Sequence, residues 1–197
     1  LSQDPRVCAA AKASVDRYAA SAASSRLICG NYALLEELEQ ALAELKGKSA
    51  ALVFSSGYLA NVGIIPALAE AEDQIFSDEL NHASLVDGCR LSKAQISVFL
   101  HGDLNHLEKL LQTSQPARRR LILTDAVFSM DGDLAPLRNL VELKEKYGAW
   151  LMVDEAHATG LFGEHRRGLA EEFAVADRIE VQMGTLGKVL GASGGYV

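Results

Sequence analysis

The feature that most constrains this chain is a repeated alternation of short apolar runs with amphipathic helical stretches. Apolar runs at 50–54, 74–78, 95–100, 120–125, 149–157 and 178–185 are each short enough for a buried strand. Helical patterns separate them, starting near Tyr58, Ala83, Leu104 and Leu134. Strands of this kind joined by helices are forced into crossover connections. The chain is therefore expected to form an α/β fold, a mostly parallel sheet with helices on both faces. Two further helices precede the alternation. Asp4 followed by Pro5 is a helix start signal, and "ALLEELEQALAELKG" places Leu34, Leu35, Leu38, Leu42 and Leu45 on one face, with Gly47 as its stop. Between them, "SAASSRLICGN" reads as a loop of small residues.

In open parallel sheets, ligands bind just past the carboxyl ends of the strands. That rule selects five places: Ser55 to Gly57, Asp78 to His82, Asp125 to Asp133, Asp154 to His157, and Gly184 to Lys188. Composition narrows what such a site serves. Nineteen basic against 26 acidic residues give a net charge of −7, which argues against nucleic acid and anionic membrane surfaces as partners. No apolar run reaches the roughly 18 residues of a membrane span. Cys8, Cys29 and Cys89 form no CxxC pair, so reduced thiols and a cytoplasmic location are expected.

"LMVDEAH" ends an apolar strand in Asp154, with His157 three residues on. A carboxylate there needs a cationic partner, and either member of the Asp154-Glu155 tandem suits a cap or a structural salt bridge. The same letters resemble the Asp-Glu-Ala-His box of a helicase, but that chemistry needs a GxxxxGK[ST] loop. Leu42 stands where the leading glycine before Gly47-Lys48 belongs. Before Gly187-Lys188, that position is Gln182, and Val189 replaces the Ser or Thr. Lys188 itself sits in a turn crowded with glycines, three residues after Thr185. On a surface turn a lysine is ordinarily just solvated; held among apolar groups it becomes an amine nucleophile. Gly57 and Tyr58 open a helix, where backbone N–H groups bind phosphate, and Ser56 is also an ordinary N-cap. His82 sits beside another helix start, where a capping role is the plainer one. Ser129 lies in "VFSMDGDLAPL", in which Asp131-Gly132 reads as a turn rather than a calcium loop. An anion site, an acid and a lysine at neighbouring strand ends are the parts needed to hold pyridoxal 5'-phosphate (PLP).

These motifs, with "LSQDPRV", "SRLICGN", "LVFSSGYLAN", "NHASLVDG" and "GTLGKVLGASGGYV", resemble in order those of the α-oxoamine synthases. Members of that family are fold-type-I PLP enzymes that condense an amino acid with an acyl thioester and lose CO₂. The resemblance implies that Lys188 carries PLP as a Schiff base and later shuttles a proton. It implies that Asp154 keeps the pyridine nitrogen protonated and that His82 stacks on the ring. The resemblance further implies that His157 and Ser129 lie near the phenolic oxygen and that Gly57, Tyr58 and Thr185 contact the phosphate. It also implies acyl-CoA or acyl-carrier-protein as acyl donor, and a homodimer with a shared active site. "MDGDLAPL" and "DEAHATG" lean toward the branch that uses alanine and a pimeloyl thioester, with the glycine- and serine-using branches next. Two departures, Ala22 to Ser25 where glycines are usual and Leu35 where a histidine is common, fall near the expected acyl-donor and dimer regions. The expected domain organisation is residues 1–197 as a PLP-binding large domain truncated at both ends, the family's smaller C-terminal domain being absent.

Overall fold

The structure, a computed structural model, describes residues 1–197. Its centre is a seven-stranded sheet in the order β1-β7-β6-β5-β4-β2-β3. The strands are β1 (Val53–Phe54), β2 (Gln74–Asp78), β3 (Gln95–Phe99), β4 (Arg120–Asp125), β5 (Trp150–Asp154), β6 (Val181–Thr185) and β7 (Gly195–Tyr196). Strands β2 to β6 are mutually parallel, while β7 runs antiparallel between β1 and β6. The first apolar run therefore yields only a two-residue strand, because its partner is the equally short β7.

Parallel strands covered on both faces read as continuous apolar runs, since alternate residues face two different cores. Here Ile122, Leu151 and Val153 point to one core, where they meet Leu107 and Leu111 of α5 (Leu104–Thr113) and Leu137, Leu140 and Val141 of α6 (Leu137–Lys146). Leu121, Leu123, Met152 and Met183 point to the other. They pack there on Ala60 and Ile65 of α3 (Gly57–Leu68) and Leu85 and Cys89 of α4 (Ala83–Ser92). Each such side chain, withdrawn wholly from water, contributes about 1.5–3 kcal/mol. The helix α1 (Pro5–Tyr18), capped by Asp4 as expected, buries none of its residues. α2 (Ala33–Lys46) ends at Gly47, whose φ of 64° is the left-handed conformation glycine favours. A short helix, α7 (Leu169–Glu172), follows β5 and has no periodic signal in the sequence.

The chain passes from β2 outward to β3 and then returns to place β4 on the other side of β2. That reversal is a topological switch point, which opens a crevice at the carboxyl ends of β2 and β4. The loop after β2 carries His82 and the end of β4 is Asp125.

Candidate active site

A cavity of about 180 Å³ lies at this crevice. Its walls hold Gly57, Tyr58, His82, Ser129, Asp154, His157, Thr185 and Lys188, the eight residues to which the resemblance gives a role. Ser84, Asp125, Ala156 and Met183 complete it.

One end is built for an anion. Gly57 is the first residue of α3, and Ser56 caps that helix by accepting from the Leu59 N–H at 3.1 Å. The leading N–H groups of a helix have no intrahelical acceptor and carry the positive end of its dipole. A Cβ at Gly57 would lie 2.4 Å from Thr185 Cγ2, so only glycine lets α3 approach β6 this closely. The Tyr58 hydroxyl donates to Asp87 Oδ2 at 2.7 Å, which turns it away from any anion and leaves its backbone N–H as the group available there.

Another part of the wall is acidic. Asp154 is 4% exposed and ends β5; its Oδ1 accepts the Ala156 N–H and its Oδ2 the Asn61 amide, at 2.9 and 2.8 Å. No Lys, Arg or His forms an ion pair with it. Beside it in register stands Asp125, also buried, whose Oδ2 accepts the His82 N–H at 2.7 Å. Burial, and then the charge on Asp154, push Asp125 up to about 7. His157 is pushed down from the usual histidine range, first by burial and then by the positive charge of Lys188.

His82 caps α4 through its ring, accepting the Ser84 N–H at 3.2 Å, and still lines the cavity. The capping role and the site position thus coexist. Lys188 is exposed, with its Nζ 3.4 Å from Thr185 Oγ1. Within residues 1–197 it is not enclosed among apolar side chains. The turn at Asp131-Gly132 is as expected, Gly132 having φ 78°.

Asp125, Asn61 and Ser84 join the site although no motif or resemblance assigns them a role there. "RLILTD" ends an apolar strand in an acid just as "LMVD" does, which was the available signal for Asp125. Asn61 is a polar residue within the otherwise apolar stretch of α3, and is fully buried. The tandem ambiguity resolves by position. Glu155, fully buried, pairs with Lys46 of α2 and takes the structural role, while Asp154 faces the cavity.

A buried acid with no cation of its own, an anion cradle and an amine, all lining one cavity, suit a ligand that has a protonated nitrogen, a phosphate and an aldehyde. This chain belongs to the aminotransferase class I and II family, whose profile matches residues 1–197. Within it the chain falls with the α-oxoamine synthases. It is 56% identical over 197 residues to the 8-amino-7-oxononanoate synthase of Geobacter sulfurreducens, covering all of this chain and 50% of that protein. Among solved structures, serine palmitoyltransferase from S. paucimobilis with a bound PLP–myriocin aldimine superposes with a TM-score of 0.96 at 37% identity, over 99% of this chain and 49% of that one. The 8-amino-7-oxononanoate synthase of Francisella tularensis gives 0.84 at 28%, over 100% and 54%. The chain spans about half the length of the curated relatives it matches.

Proposed function

We propose that residues 1–197 are the cofactor-binding domain of a PLP-dependent acyltransferase that joins L-alanine to a pimeloyl thioester, with loss of CO₂, to give 8-amino-7-oxononanoate for biotin biosynthesis. The observation that carries this reading is the buried Asp154, without a cation, in one cavity with Lys188 and the anion cradle of α3. An unpaired buried carboxylate is costly, and a protonated pyridine nitrogen offsets that cost. PLP, when bound, supplies the electron sink that stabilises a carbanion. Gly57, the Tyr58 N–H and Thr185 hold its phosphate. Asp154 holds the ring nitrogen, His82 covers the ring face, and Ser129 and His157 flank the phenolic oxygen. Lys188 Nζ anchors the cofactor, takes the α-proton of the amino acid once displaced, and returns a proton after the thiol and CO₂ have left.

Curated relatives that bear the name 8-amino-7-oxononanoate synthase support this product, and alanine with a pimeloyl-CoA or pimeloyl-carrier-protein donor is the substrate pair proposed for it. A homodimer is supported by Leu27 and Ile28, 95% and 80% exposed, and by a helix α1 that buries nothing. Three free thiols accord with a cytoplasmic protein, and no helix is long and apolar enough to cross a membrane. The full-length protein tests the substrate assignment in competition. Alanine is set against glycine and serine, and pimeloyl-CoA against acetyl-, succinyl- and palmitoyl-CoA. The expected outcome is the highest kcat/KM for alanine with pimeloyl-CoA. One methyl gives only about 1–3 kcal/mol of discrimination, so the acyl donor should separate more widely than the amino acid. A higher kcat/KM for glycine with acetyl- or succinyl-CoA would assign the protein to another branch of the family.

A further inference from the structure

Asn61 is not among the residues lining the cavity, yet it touches two of them. Its Nδ2 donates one proton to Asp154 Oδ2 at 2.8 Å and the other to Ser84 Oγ at 2.9 Å. Its Oδ1 is buried and has no partner. Reversing the amide would set Oδ1 against the carboxylate and leave a buried NH₂ facing nothing that accepts, so the neighbours dictate the orientation. Ser84 Oγ, having accepted from Asn61, has its own proton free for His82 Nδ1 at 2.8 Å. The Ser84 N–H reaches the same ring nitrogen. Two donors on Nδ1 place the proton of the neutral ring on Nε2.

We infer that Asn61 is a positioning residue that ties Asp154 and His82 into one buried hydrogen-bonded array. One amide, four residues into the helix that begins with the anion cradle, thereby fixes both the acid at the ring nitrogen and the imidazole at the ring face. The consequence for PLP rests on the function proposed above; the array itself does not. Supporting shells of this kind hold a site to the fraction of an ångström that its chemistry needs.

The test uses full-length protein with ¹⁵N-labelled histidine, the His82 signals being identified by their loss in His82→Gln. In wild type the neutral His82 ring should carry its proton on Nε2. Ser84→Ala removes one of the two donors to Nδ1 and leaves the backbone N–H, so it should keep that tautomer but move the Nδ1 resonance, and Asn61→Leu should move it less, from one residue further away. Asn61→Leu should also weaken PLP binding, read by equilibrium dialysis, by about ten- to a hundredfold, the loss expected for one hydrogen bond to a charged group. Ser84→Ala carries the test if Asn61→Leu does not fold. An unmoved His82 Nδ1 resonance in Ser84→Ala overturns the array, as does undiminished PLP binding by folded Asn61→Leu. Failure of the wild-type protein to bind PLP would instead overturn the proposed function, with the ¹⁵N measurement still deciding the array.

Discussion

Two acids stand side by side at the end of β5, and their surroundings differ completely. Glu155 is fully buried and satisfied. It pairs with Lys46, and its Oε1 accepts the Ala170 N–H at 2.8 Å. Lys46 in turn spends its remaining protons on Thr159 Oγ1 and the Arg167 carbonyl. Asp154 is almost as buried, but only N–H groups touch it and it looks into the cavity. Strand geometry explains the division, since successive residues leave a strand on opposite sides. The difference teaches that burial alone does not mark a functional carboxylate. What marks it is burial without a cation, beside a space large enough for a ligand that brings one.

The largest expected effect lies on the satisfied side. Lys46→Met leaves Glu155 buried and unpaired, and removal of one partner of such a pair costs about 3–5 kcal/mol. Urea unfolding of the full-length protein should show that loss, and a loss below about 1 kcal/mol would erase the contrast. On the open side the balance should reverse. Asp154→Asn should still bind PLP, though more weakly, and lose less stability than Lys46→Met. It should slow α-proton exchange by at least about a hundredfold, each 1.36 kcal/mol being tenfold. Unchanged exchange would make Asp154 structural, like its neighbour.

Asp125 sharpens the comparison through pH. Its folded carboxyl keeps its proton up to about 7, above the ordinary 3.8. The folded state therefore binds the proton more tightly than the unfolded chain does. The stability this contributes is fully present below the unfolded value and is lost as pH rises through the folded one. Asp125→Asn should be more stable than wild type at pH 8 by on the order of 2 kcal/mol, with the gap closing near pH 4. Thermal melts at the two pH values check it, and an equal gap at both would refute the cause. The smallest effect is expected at the exposed pair of Arg178 and Glu145. Glu145→Gln should leave the unfolding midpoint unchanged, as water screens such pairs.

The parallel sheet was legible in the sequence because buried strands are continuous apolar runs. β7 is only two residues long, and its antiparallel placement depends on β1, about 140 residues earlier in the chain. The strand-end rule located the stretches, the resemblance assigned roles to eight residues in and beside them, and the structure gathers those eight around one cavity. Their roles rest on the experiments described above. Lys46, Asn61 and Ser84 were not legible, because each acts through a partner distant in sequence: 109 residues for Lys46 and Glu155, 93 for Asn61 and Asp154, 23 for Asn61 and Ser84. Single-residue chemistry shows in a sequence; pairings made by the fold do not.

The central claim is that Lys188 anchors a cofactor opposite Asp154. Borohydride reduction of full-length protein loaded with PLP, followed by proteolysis and mass spectrometry, tests it directly. The expected result is a pyridoxyl adduct on Lys188, absent in Lys188→Ala together with the visible absorption of the bound cofactor. An adduct on a different lysine, or undiminished absorption in Lys188→Ala, would contradict the account.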